Sequence, residues 1–389
     1  MREREMLPTT PKDSEIKDGE NKTLIKIVER PTFILKTREG ENRAVSPSQR
    51  NGHKYCIIIS ILVLSLLKKS IRILSTYPEM ISCFKFMDEN MQLCESAIEY
   101  LYDQQDFLVV GCLGTQSVGK STIMSLLTHE DMPDIFPVQD LSHHESATNC
   151  TTGIDIFITK NRVIYLDTQP VLSISAFDNS TSSFDQKKTV SDFTNTETNL
   201  ELQSLQFMAF MFSVCHVIIF VQDWCCDLNS VRLLQTAEML KPSSTTTMDQ
   251  DYVEYYPHLI FLHNKAEPQD FMPSSIERMK DFYKKTFSSS RLQTHSGIDM
   301  SQDSTENGLN LFLIPSNLNR NKEASTEDIF FGESEKSLLD KLRRKIHGVT
   351  KNPMTPSVLT EKNWYHYVSK VIEAIKKSHL SSEYGRLMP

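Results

Sequence analysis

Residues 107–127 read Phe107-Leu108-Val109-Val110-Gly111-Cys112-Leu113-Gly114-Thr115-Gln116-Ser117-Val118-Gly119-Lys120-Ser121-Thr122-Ile123-Met124-Ser125-Leu126-Leu127. The first seven are a continuous apolar run of strand length, and the last six carry helix-forming apolar positions. Between them, Gly114 to Ser121 fits G-x-x-x-x-G-K-S in full. Each residue type has a chemical reason. The glycines let backbone N–H groups curl around a β-phosphate, Lys120 neutralises the β and γ oxygens, and the Ser121 hydroxyl holds Mg²⁺. Gly114, Thr115, Gln116, Ser117, Val118, Gly119, Lys120, Ser121 and Thr122 are therefore the candidate nucleotide-binding residues. Glycine is scarce, which sharpens the match: of 12 in the chain, Gly111, Gly114 and Gly119 fall within nine positions. This stretch is built to hold a nucleotide.

Further apolar runs follow at 154–158, 163–166, 217–221, 259–262 and 311–314. Continuous runs suit strands covered on both faces. Helical faces lie between them: Leu202, Leu205, Ala209 and Phe212; Leu228, Val231 and Leu234; Ile276, Met279 and Tyr283. Alternating strands and helices give an α/β fold, a mostly parallel sheet with helices on both faces. Met91, Leu93 or Cys94, Ile98 and Leu101 predict a helix ahead of the first strand, so the P-loop domain is placed at 88–389. Polar stretches at 173–199 and 242–254 read as surface insertions, and a polar loop follows Leu318. Two C-terminal helices are expected. The last carries Trp364, Val368, Val371 and Ile375 on one side, a stripe that belongs to the core.

Three strand ends offer ligands, where open α/β sheets bind them. Thr151-Thr152-Gly153-Ile154-Asp155 precedes a strand, in the place of a switch loop whose Thr151 meets Mg²⁺ and the γ-phosphate. The T-x-G-I spelling is similar to that of dynamin-related and guanylate-binding proteins. Asp167 ends another strand and would hold Mg²⁺ through water, so the metal set is Ser121, Thr151 and Asp167. His263-Asn264-Lys265-Ala266-Glu267 is similar to the base-reading NKxD, making Asn264 and Lys265 nucleotide-binding candidates.

Two departures weigh against ordinary GTPase chemistry. In Asp167-Thr168-Gln169-Pro170, proline replaces the Gly of DxxG and removes the N–H that would meet the γ-phosphate. Val171 supplies no side chain to orient water, and Gln169 stands two residues too early. Glu267 replaces the Asp that pairs with guanine, so GTP/GDP and ATP/ADP both stay open. No nucleophile–base pair stands out, and no catalytic residue is assigned. His143-His144-Glu145 are adjacent in a polar loop and do not spell a metal site; Cys225-Cys226 read as loop structure.

The whole chain bounds these readings. Its 389 residues allow two or three domains at ~150 residues each. A net charge of −8 excludes a general nucleic-acid coat, which needs a basic surface. Eight cysteines without CxxC spacing, and a charged start over residues 1–29, point to reduced thiols in the cytosol or nucleus. Residues 1–87 read as a largely disordered tail with one β-like run, Thr32-Phe33-Ile34-Leu35. Within it, 55–67 (YCIIISILVLSLL) is apolar for 13 residues, against the ~20 of a spanning helix. A membrane element, a buried strand or helix, and a segment foreign to the functional protein are its three readings.

Together these residues resemble the Smg-nine family of nonsense-mediated mRNA decay factors, G-domain-like subunits of the decay kinase complex. The resemblance runs through residues 107–127, 152–159 and 166–172, where Pro170 is itself a family trait. It holds at Cys215-His216-Val217-Ile218, Val221-Gln222-Asp223-Trp224, Leu233 to Met239, Tyr255-Tyr256-Pro257-His258-Leu259 and Leu359 to Trp364, covering about 88–389. It implies a nucleotide-binding regulatory and scaffold subunit in the cytoplasm, one that need not turn over. The implied partners are a second G-domain-like subunit of the Smg-eight type, as a heterodimer, and a phosphatidylinositol-3-kinase-related protein kinase that phosphorylates an up-frameshift RNA helicase. RNA would be met only through partners, with Trp224 in the partner face. The rival reading is an active large GTPase of the guanylate-binding or dynamin-related type.

Overall fold

A computed structural model describes residues 79–128, 134–145, 149–173, 190–223, 227–243, 254–301, 308–316, 334–379 and 383. Seven strands form one sheet: β1 (Phe84–Met87), β2 (Leu108–Leu113), β3 (Ile154–Ile158), β4 (Val163–Thr168), β5 (Val217–Gln222), β6 (His258–Ala266) and β7 (Leu311–Pro315). Their order is β1-β3-β4-β2-β5-β6-β7. β4, β2, β5, β6 and β7 run parallel, while β3 is antiparallel to β4 and β1 antiparallel to β3. Every residue of β2, β3, β4, β5 and β7 is buried, which is why these segments are mostly apolar, with Asp155 inside β3 and Asp167, Thr168 and Gln222 at the ends of β4 and β5 as buried polar exceptions.

The helices are α1 (Lys120–Thr128), the short α2 (Leu141–Glu145), α3 (Val190–Val214), α4 (Leu228–Leu240), α5 (Pro273–Thr286), α6 (Glu335–His347) and α7 (Glu361–Lys376). They cover both faces. Val110 pairs with Tyr165 and Gly111 with Leu166, so each pair shares one side of the sheet. On the first side the Tyr165 hydroxyl donates to the Leu127 carbonyl (3.2 Å) and lies 3.4 Å from His347 of α6. Arg343 of α6 also donates to the Leu126 and Leu127 carbonyls (2.6 and 3.0 Å), completing the last turn of α1. On the other side a Cβ at Gly111 would sit 2.3 Å from Met211 and 2.8 Å from Cys215, so α3 packs flat on β2 only because residue 111 has no side chain. α7 packs on α3 in turn: Trp364 Nε1 donates to the Val214 carbonyl (2.9 Å), and Trp364, Val368, Val371 and Ile375 are all buried. The C-terminal stripe is core, as its spacing indicates.

Four expectations need correction. The sheet starts before residue 88: β1 lies in the range assigned to the tail. A four-residue strand is too short to show a period. The helix expected from Met91 to Leu101 is a 3-10 turn, Glu95–Tyr100. Asp88 Oδ1 accepts from the N–H groups of Asn90 (2.9 Å) and Gln92 (2.7 Å), and Met87 bridges Leu93, so this tight turn leaves no room for a longer helix. The insertion expected at 173–199 ends earlier, because α3 already begins at Val190; its first turns are polar in sequence and spell no apolar stripe, while Ser204 and Leu205 further along the helix are buried. Finally, Leu228 is exposed at the first position of α4, while Val231 and Leu234 are buried. The tail through residue 78 with its 55–67 segment, residues 174–189 and 244–253, the loop after Leu318, Trp224, Cys225 and Cys226 lie outside the described residues.

Candidate functional site

The P-loop joins β2 to α1 by a path that only its residue types allow. Gly119 has φ +94°, and a Cβ there would lie 2.4 Å from Asn264 Nδ2. That contact is used: Asn264 Nδ2 donates to the Val118 carbonyl (2.9 Å), and Lys265 Nζ to the Ser117 carbonyl (2.7 Å). The end of β6 thus clasps the outside of the loop. Lys265 also lies 3.7 Å from Asp223 at the end of β5. Below these, Tyr283 of α5 accepts from Gln222 Nε2 (3.0 Å) and meets His263 Nε2 at 2.9 Å, fixing both strand ends. Burial pushes His263 down to about 4, so it stays neutral at physiological pH.

Inside the loop, Lys120 is almost wholly buried and its ammonium donates to the Thr115 carbonyl (2.8 Å). Burial lowers its pKa, since the charge sits among backbone dipoles away from water. Beside it the three residues of the expected metal set converge. Ser121 Oγ donates to Asp167 Oδ2 (2.7 Å), Thr151 Oγ1 donates to the same oxygen (3.2 Å), and the two hydroxyls lie 3.5 Å apart. Asp167 is fully buried, and its Oδ1 has no hydrogen-bond partner. Burial raises its carboxyl to about 6, against the pull of Ser121, Lys120 and Thr151. A buried carboxylate oxygen left open beside two hydroxyls is a set of hard oxygen donors, and it fits Mg²⁺.

These residues bound a cleft of about 220 Å³, lined by Ser117, Gly119 to Thr122, Thr151 and Lys265 of the expected set. Asp167 lies behind it, and Asn264 holds the loop. Val138, Gln139, Cys150, Thr168 and Pro170 complete the wall. Val138 and Gln139 approach from the segment before α2, and no motif announces them.

The loop after β4 is tied down. Pro170 has no N–H, and the Val171 N–H donates to the Gly114 carbonyl (3.1 Å). Gln169 is engaged by Gly153: its Oε1 accepts from the Gly153 N–H (2.7 Å), and its backbone N–H donates to the Gly153 carbonyl (2.8 Å). Glu267 is exposed and does not line the cleft. Its carboxylate accepts from Gln269 Nε2 (2.6 Å), and its N–H donates to Asp270 Oδ2 (2.8 Å), at the start of the 3-10 turn Pro268–Phe271. His143 bonds locally to Asp140 (2.6 Å), and among the described residues no three His, Cys, Asp or Glu side chains group as a metal site.

A family model described as Smg8_Smg9 matches residues 102–256, the span from the approach to β2 through to the approach to β6. The nonsense-mediated mRNA decay factor SMG9 of Xenopus laevis is 40% identical over 339 residues, covering 78% of this chain and 66% of that one. The chain belongs to the Smg8_Smg9 family. The factor of the same name from Salmo salar is 38% identical over 338 residues, with the same coverage. Drosophila melanogaster Protein SMG9 is 27% identical over 312 residues, 71% of this chain and 57% of that one. The chain therefore spans 66% of the length of its vertebrate relatives, about two thirds. Among solved structures, a bacterial selenocysteine-specific elongation factor aligns at 9% identity over 53% of this chain and 25% of that one, with a TM-score of 0.28, too low to bear on the fold.

Proposed function

We propose that this Smg8_Smg9-family chain is a nucleotide-binding regulatory and scaffold subunit of nonsense-mediated mRNA decay, built on a G-domain-like P-loop fold, that holds its nucleotide with little or no turnover. One observation carries the nucleotide reading: Lys120, Ser121 and Thr151 line one cleft, Ser121 and Thr151 both donate to Asp167 behind it, and one oxygen of Asp167 has no protein partner. Gly114 to Gly119 would wrap the phosphates with N–H groups, Lys120 would leave the Thr115 carbonyl for a phosphate oxygen, and Lys265 would lie against the base. Ser121, Thr151 and Asp167 would hold Mg²⁺, which neutralises phosphate charge when bound. The base is guanine or adenine. Glu267 is taken up by its own turn, so the carboxylate that favours guanine does not face the cleft.

The lack of turnover follows from three groups. Pro170 has no N–H to offer, Val171 spends its N–H on Gly114, and Gln169 spends its amide on Gly153. This favours a binding subunit over an active large GTPase. The partners in this reading are a second G-domain-like subunit and a phosphatidylinositol-3-kinase-related kinase acting on an RNA helicase, in the cytoplasm. The relatives' name, nonsense-mediated mRNA decay factor, supports the pathway. Among the described residues no helix is long and apolar enough to cross a membrane.

The test has two arms. Purified wild type should retain nucleotide and Lys120→Ala should lose it, while single-turnover release of phosphate from GTP or ATP stays near the rate in buffer. Equal nucleotide content in the two proteins sinks the binding reading; multiple turnover by wild type sinks the scaffold reading.

A further inference from the structure

We infer that Lys85, on the edge strand β1, is a positioning residue that clamps the Thr151 loop in its metal-facing place whatever the number of phosphates on the nucleotide. The inference rests on the nucleotide reading above and adds a mode of regulation to it: the loop is fixed in advance and does not report the γ-phosphate. In a phosphate-sensing switch the loop has two states, and the ligand selects one through contacts it makes only there. Here residues 151–153 are held from three sides by the protein itself.

β1 supplies the first hold. Lys85 stands opposite Asp155 in the antiparallel ladder. Its ammonium pairs with Asp155 Oδ1 (2.6 Å) and reaches back to donate to the Thr152 carbonyl. Both contacts are charge-assisted, the stronger class of hydrogen bond. β1 also makes the second hold. Gly153 has φ +69°, and a Cβ there would lie 2.1 Å from the Met87 carbonyl oxygen and 2.7 Å from the Asp88 carbonyl carbon, so the loop lies against the strand backbone. The third comes from the segment after β4, where Gln169 takes both the N–H and the carbonyl of Gly153. With Thr152 and Gly153 fixed, Thr151 directs its hydroxyl at Asp167. The ordering of the loop is met in folding, so a γ-phosphate finds no second loop state to select.

Lys85 would also serve a purely structural end, as countercharge for Asp155, and the experiment separates the two. Hydrogen exchange of residues 149–157 is followed in the full chain without nucleotide, with Mg²⁺ and GDP or ADP, and with Mg²⁺ and a non-hydrolysable GTP or ATP analogue. Fluorescent-nucleotide titration gives affinities in parallel. In wild type the segment should exchange slowly in all three states, and di- and triphosphate affinities should agree within about threefold. In Lys85→Met the segment should exchange fast when free or diphosphate-bound and slow only with the triphosphate. Mg²⁺-dependent diphosphate affinity should fall about tenfold, as when a supporting partner of a metal ligand is removed. Lys85→Arg should restore the wild-type pattern.

A folded Lys85→Met with unchanged exchange overturns the clamp. So does a wild-type segment that becomes slow only with triphosphate, a result that requires no variant. If wild type binds no nucleotide, the proposed function fails, while exchange in nucleotide-free wild type and Lys85→Met still decides the clamp.

Discussion

Asp167 and Glu361 are both sealed from solvent, and they are treated in opposite ways. Glu361, in the first turn of α7, is closed by the protein. It accepts from Arg162 Nε (2.6 Å), from Arg162 Nη2 and from the Tyr102 N–H (2.8 Å). Arg162 also donates to the Tyr100 carbonyl (2.9 Å) and lies 4.9 Å above the Tyr102 ring. These contacts bind α7, the β3–β4 turn and the segment before β2 into one corner. Asp167 receives two hydroxyls on one oxygen and nothing on the other, and its carboxyl is raised to about 6 as a result of burial. A buried carboxylate with its countercharge supplied joins elements; one left incomplete is a place for a cation from outside.

The largest effect should come from breaking the closed site. Arg162→Met leaves Glu361 buried without its countercharge and should cost about 3–5 kcal/mol, read by denaturant unfolding. Adding Glu361→Met should recover most of that loss. A single variant that costs nothing would mean that the corner is not held by charge, and the contrast with Asp167 would fall.

Next in size is the open site, and its sign is reversed. The folded pKa of Asp167, about 6, lies above the ordinary 3.8, so the folded protein holds this proton more tightly than the unfolded chain. The contribution is therefore present below pH ~4 and is lost as pH rises through ~6. At pH 7 the ionised, metal-free Asp167 should cost about 3 kcal/mol, and Asp167→Asn should return it. Unfolding of both proteins in EDTA across pH 4–7 checks this: the two curves should separate as pH rises.

The smallest change sharpens the comparison at one hydrogen bond. Thr151→Val removes a donor to Asp167 Oδ2 while keeping its shape, and should move metal-free stability by about 1 kcal/mol or less. Its effect on Mg²⁺-dependent nucleotide binding should be the larger one. Equal, small effects on both would take Thr151 out of the metal set.

Legibility in the sequence followed distance along the chain. Gly114 to Ser121 declared itself because loop, lysine and hydroxyl are consecutive, and the strand ends at Asp167 and Asn264 because buried parallel strands are unbroken apolar runs. The Trp364 stripe was readable for the same local reason. Lys85 was not, since its partner Thr152 is 67 positions away and a lysine in a four-residue strand resembles any solvated edge. Arg162 and Glu361 are 199 positions apart, and neither spelling hints at the other. Gln169 was visible only as a residue in the wrong place for catalysis; its two hydrogen bonds to Gly153 depend on the β3–β4 pairing, which no local pattern fixes.

The central claim is that Asp167 is incomplete until a metal arrives with its nucleotide. The most direct measurement is thermal unfolding of wild type and Asp167→Asn at pH 7, each in EDTA and with Mg²⁺ and nucleotide. Wild type should start lower and rise with Mg²⁺ and nucleotide by linkage, while Asp167→Asn should start higher and gain little. An Asp167→Asn protein that starts below wild type in EDTA, or that gains as much from Mg²⁺ and nucleotide, would contradict it.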